Sequence, residues 1–160
     1  MFNEISGLPV HPLVVHVAVV FLPLLALGSI VYAVAPRWRP RTGWAVVLLA
    51  IAAPIGAFVA RQSGEALERR LTEAGYGPEI LDQVNTHQSY GNLAFWFTLG
   101  LGVAALILVA LATDNPRMPG APPWLTTVTS VVVIALAVVV GIYVFLTGDS
   151  GARAVWEGVA

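Results

Sequence analysis

Apolar residues fall into four long runs, Leu13–Ala35, Trp44–Ala60, Leu93–Ala112 and Leu125–Leu146, none of which contains Asp, Glu, Lys or Arg. About 20 such residues are needed for a helix to cross the hydrocarbon core of a bilayer. The pattern therefore predicts four transmembrane helices in two hairpins, an all-α integral membrane bundle occupying residues 1–160 as a single domain. The second run is the shortest, and Arg61 at its end can snorkel to the headgroups while the helix continues. Between the second and third runs lies the one sizeable polar segment, residues 61–86. It reads as an outer loop holding a short amphipathic cap. Leu67, Leu71 and Ala74 recur at helical spacing, Gly75-Tyr76-Gly77-Pro78 interrupts them, and Pro78 suits the first position of a new helix. Pro23 and Pro54 lie near mid-span; each leaves a carbonyl one turn back without its donor, at Val19 and Ala50.

Direction follows from arginine. The first connection, Pro36-Arg37-Trp38-Arg39-Pro40-Arg41, holds three arginines and no acid, so it is expected on the cytoplasmic side. Both termini and the 61–86 segment then lie outside, in a multi-pass protein of the cytoplasmic membrane. The segment before the first run carries Glu4 and no cation. With an apolar run longer than a usual signal-peptide core, it is read as a retained helix.

Composition agrees with this reading. The chain of 160 residues is 58% hydrophobic and 11% charged, with a mean hydropathy of +0.81. A soluble domain carries about a quarter charged residues. A net charge of −1 provides no basic surface for nucleic acid. The absence of cysteine excludes disulfides, thiolate metal sites and covalent CxxCH haem attachment. No HExxH, GxSxG, Walker or GxGxxG motif is present, and nothing points to stand-alone catalytic activity.

Candidate chemistry rests on three histidines. His11 and His16 open the first helix, and His87 precedes the third. Helices one and three run in the same direction, so all three imidazoles are expected at one rim of the bundle. An ionisable side chain at that depth is a functional candidate by default. Three readings stand side by side. The histidines can be structural, fixing helix ends in a non-catalytic scaffold or subunit. They can hold a b-type haem through His16 and His87, with Gly91 one turn below His87 making room and Arg61 meeting the propionates. Or His11, His16 and His87, with Glu65 or Glu68, can hold zinc or copper in an accessory protein. Both hairpins carry a histidine at the entrance and Ser-Gly at the exit (Ser63-Gly64, Ser150-Gly151), which suggests a parallel duplication. On that basis His16 and His87 are expected to face each other.

The opening Gly7-Leu8-Pro9-x-His11-Pro12-x-x-Val15-His16, the His87 entrance and the ending Gly148-Asp149-Ser150-Gly151-Ala152-Arg153-Ala154-Val155-Trp156 resemble the DUF2231 family over nearly the whole chain. The resemblance implies a four-helix membrane protein and transfers no activity. Relatives joined to Rieske-type or cytochrome c modules imply a redox setting, with redox proteins or other membrane subunits as partners alongside the lipid bilayer.

Overall fold

The computed structural model describes residues 4–5, 8–113 and 122–156. Most of the third interhelical connection and the last four residues lie outside the described residues. A short antiparallel ladder pairs β1 (Glu4–Ile5) with β2 (Leu8–Pro9). It leads directly into α1 (Val10–Val34). A single 3-10 turn at Pro36–Trp38 then joins α1 to α2 (Arg39–Glu73), followed by α3 (Pro78–Ala112) and α4 (Pro123–Trp156). All four helices are long and apolar enough to cross a membrane.

The helices pack in a ring. α1 and α3 each lie against both α2 and α4, and the diagonal pair α1 and α3 touch only slightly. Bundle topology is therefore two antiparallel hairpins side by side. At about 1.5 Å per residue, the 35-residue α2 and α3 are each about 52 Å long, against a hydrocarbon core of about 30 Å. The excess lies at their polar end.

That excess corrects the expectation of an outer loop with a separate cap over 61–86. α2 runs unbroken to Glu73, and only residues 74–77 separate it from α3. Leaving the membrane does not end a helix when the following residues are good helix formers, and here Glu65, Glu68, Arg69 and Arg70 supply them. Arg61 and Glu65 pair at 3.1 Å one turn apart, adding local support. The stop is local. Gly75 adopts φ +77°, the Tyr76 N–H bonds to the Leu71 carbonyl at 3.2 Å, and the Gly75 N–H bonds to Thr72 at 3.1 Å. This is a Schellman ending, which needs the left-handed conformation that glycine adopts without strain. Pro78 then opens α3 at its first turn, where the missing N–H removes no helical bond.

At the opposite end Arg39 completes the exhausted α1. Its Nε donates to the Tyr32 carbonyl at 3.0 Å, and its guanidinium lies 5.5 Å from the Tyr32 ring centroid. A cation on the last carbonyls of a helix also opposes the negative end of its dipole.

The core is built from small residues. Ala50, Ala53 and Ala57 of α2 are buried, as are Ala94, Leu101, Ala104, Ala105 and Leu108 of α3. The closest approach lies at Gly102, where a Cβ would stand 2.7 Å from the Ala50 carbonyl oxygen and 3.3 Å from Pro54 Cγ. Pro54 has no N–H to offer that carbonyl, so the oxygen is free to turn toward α3. Without a hydrophobic drive between helices in lipid, such close packing supplies much of the association energy.

The two hairpins repeat one another in detail. Val46, Ala50 and Ala53 of α2 match Val133, Ala137 and Val140 of α4 in a single register, and all six are buried. Leu22, Leu25, Ala26 and Ser29 of α1 likewise match Thr98, Leu101, Gly102 and Ala105 of α3, again all buried. A shared burial phase over several turns of both helix pairs is the mark of a parallel duplication with a pseudo-two-fold axis along the bundle.

A paired-histidine site at the polar end

The duplication converges on two imidazoles. His11, in the first turn of α1, places Nδ1 3.1 Å from the Ala60 carbonyl and 3.0 Å from Ser63 Oγ, both on α2. His87 of α3 places Nδ1 2.9 Å from the Thr147 carbonyl and 3.3 Å from Ser150 Oγ, both on α4. Ser63 donates back to Ala60 at 2.8 Å, and Ser150 to Thr147 at 3.1 Å. A carbonyl oxygen only accepts, so each Nδ1 carries the proton, and in the neutral ring each Nε2 carries the lone pair. Among the described residues neither Nε2 makes a hydrogen bond. The two ring centroids are 6.2 Å apart with planes at 86°.

The glycine after each serine is the floor beneath the ring. A Cβ on Gly64 would stand 3.2 Å from His11 Cε1, and one on Gly151 only 2.8 Å from His87 Cε1. Each imidazole therefore lies directly on the backbone of the partner helix in its own hairpin.

This arrangement corrects the expected pairing of His16 with His87. Five residues separate His11 from His16, which at about 100° per residue turns them roughly 140° apart around α1. When one faces the bundle the other cannot. His16 is exposed on the outer surface, and its Nδ1 bonds to the Pro12 carbonyl of its own helix at 2.7 Å. The true counterpart of His16 in the second hairpin is Asn92.

Arg61 and Glu65 are engaged elsewhere. Arg61 Nε donates to Asn92 Oδ1 at 2.6 Å, its Nη2 meets Glu65 Oε1 at 3.1 Å, and its guanidinium stands 5.9 Å from the Phe95 ring centroid. Arg61 thus bridges α2 to α3 beside the site and is paired with Glu65. The position matching Arg61 on α4 is Gly148, so the duplication is broken here and only one of the two seams carries this bridge. Gly91 sits one turn below His87 at an ordinary distance, 3.8 Å from a Cβ to Thr147 Cγ2. The four-ligand set of His11, His16, His87 and Glu65 is not assembled: among the described residues no three His, Cys, Asp or Glu side chains are grouped so as to hold a metal ion.

Along the chain the Ser-Gly steps read as a repeat, and their contact with the imidazoles appears only in three dimensions. The signal was the histidine at one end of each hairpin and the Ser-Gly at the other, which antiparallel packing brings to one level.

Four membrane-length helices enclosing an imidazole pair at one end define a multi-pass membrane protein of the four-helix-bundle class. The chain belongs to the DUF2231 family of predicted membrane proteins, whose family model matches residues 7–160. No curated protein and no solved structure matches the chain significantly.

Proposed function

We propose that this protein is a b-type haem protein in which His11 and His87 would hold the iron, and that it carries electrons at the outer face of the cytoplasmic membrane. The observation behind this reading is the 6.2 Å separation of two rings whose Nδ1 atoms are already committed to carbonyls. A ligating histidine ordinarily donates its other ring N–H to a carbonyl or carboxylate, which fixes its tautomer and orientation. Both histidines are prepared in that way.

The donor set favours haem over a bare ion. Zinc in a protein site needs three or four side-chain ligands, whereas a porphyrin brings four nitrogens of its own and asks the protein for two. When bound, the haem would supply a one-electron couple. The chain's residues would fix the tautomer and orientation of the two ligating rings. Placement at the outer face rests on the arginine-rich Pro36–Arg41 connection being cytoplasmic.

The test is reduced-minus-oxidised absorption of the purified protein, with iron and porphyrin quantified. One haem per chain is expected, lost in His11→Ala and His87→Ala and kept in His16→Ala, with helical circular dichroism unchanged in all three. A folded, colourless wild-type protein without iron would overturn the proposal in favour of the structural scaffold, in which the same two histidines simply tie α1 to α2 and α3 to α4.

A further inference from the structure

We infer that Ser63-Gly64 and Ser150-Gly151 are the positioning residues of this site, two copies of one imidazole seat, each built on the neighbouring helix rather than on the histidine's own. The seat follows from the geometry; that its occupant is haem rests on the reading above.

Three features of the seat act together on one ring. The carbonyl of Ala60 or Thr147 takes the Nδ1 proton and so fixes the tautomer. The serine hydroxyl stands beside the same Nδ1 and donates to the same carbonyl, which holds the ring in line with that oxygen. The glycine lets the ring settle against the helix. A Cβ at Gly151 would meet His87 Cε1 at 2.8 Å and Nδ1 at 3.0 Å; at Gly64 the same distances to His11 are 3.2 and 3.5 Å. The 2.8 Å contact is closer than real Cβ atoms come, so the His87 ring or the α4 backbone beneath it must shift. The contact at Gly64 needs a shift of a few tenths of an ångström.

Serine and glycine are otherwise poor choices at these positions. Both lie inside continuous helices, where glycine weakens the helix relative to alanine and serine competes for backbone bonds. Neither hairpin needs a break there, and both carry the same costly pair at the same level. An ordinary packing requirement would be met by alanine. The pair is explained by the ring it receives, and its repetition on α2 and α4 gives two like donors related by the pseudo-two-fold axis.

The experiment uses the full chain in nanodiscs with 15N-labelled histidine. Wild-type protein is expected to show His11 and His87 as Nδ1-protonated rings. Gly151→Ala should shift the His87 nitrogens and leave His16 in place, with a smaller shift of His11 in Gly64→Ala. Hemin titration provides a second readout. Disturbing the partner of a ligating histidine lowers affinity by about ten- to a hundredfold, and a loss in that range is expected for Gly151→Ala, with a smaller one for Gly64→Ala. Should Gly151→Ala not fold, Gly64→Ala and Ser150→Ala carry the same comparison. Unchanged imidazole signals in the folded variants would overturn the seat, as would a lowered melting temperature without any change at the rings. Failure of wild-type protein to take up hemin would sink the haem reading alone, and the nitrogen signals would still decide the seat.

Discussion

Gly102→Ala examines the packing that holds the two hairpins together. The new Cβ would lie 2.7 Å from the Ala50 carbonyl oxygen, 3.3 Å from Pro54 Cγ and 3.6 Å from the Ala50 carbonyl carbon. Carbon–oxygen contacts of this type settle at about 3.3–3.6 Å, so α2 and α3 must separate by more than half an ångström locally. The obstacle is backbone and a proline ring, neither of which can rotate away. Overpacking of this kind costs about 1–3 kcal/mol. Against it stands the better helix propensity of alanine, worth about 1 kcal/mol. Gly100→Ala isolates the two effects. It lies on the same helix, and its Cβ would meet nothing within 4 Å. The propensity gain cancels between the two variants, so their difference is the packing cost alone, about 1–3 kcal/mol in favour of Gly100→Ala. Unfolding in mixed micelles, followed by the fluorescence of the five tryptophans, measures it. Equal stability of the two variants would refute the close approach of α2 and α3.

The Schellman ending at the tip of α2 predicts that Gly75→Ala costs about 1 kcal/mol and increases proteolysis between the two long helices, because φ is +77° there; Gly77→Ala, where φ is −66°, is expected to be nearly neutral. Arg61→Ala should cost about 1 kcal/mol or more, since Asn92 loses a short charged hydrogen bond at the α2–α3 seam; Arg61→Lys should not restore it, because Nε and Nη2 serve two partners at once. Arg39→Gln should lower stability by about 0.5–1.5 kcal/mol through loss of the cap on α1, read by the same unfolding assay. The chain has no cysteine, so Tyr76→Cys, at an exposed position of the turn between α2 and α3, reports orientation: an impermeant maleimide should label it from outside the cell, and labelling only after the membrane is opened would reverse the assignment.

Much of the architecture was already legible in the residue pattern, because lipid imposes a local demand. Each span must satisfy its own backbone and present apolar side chains, so Leu13–Ala35, Leu93–Ala112 and their counterparts stand out without knowledge of their neighbours. Pro78 and Gly75 likewise announce a start and a stop through their own backbone chemistry. The helical spacing of Leu67, Leu71 and Ala74 is legible as a cap, but nothing local shows that this cap and the second span are one unbroken helix to Glu73. The choice between His11 and His16 was beyond any local reading. It depends on the rotational phase of α1, which is set by its packing against α2 and α4 and by where the helix begins, and a turn of about 140° decides which ring faces inward. The Ser-Gly repeat was visible along the chain, but its meaning was not. Only antiparallel packing of each hairpin brings residues from its two ends to one level, and there a carbonyl, a hydroxyl and a bare glycine make a seat for a single imidazole.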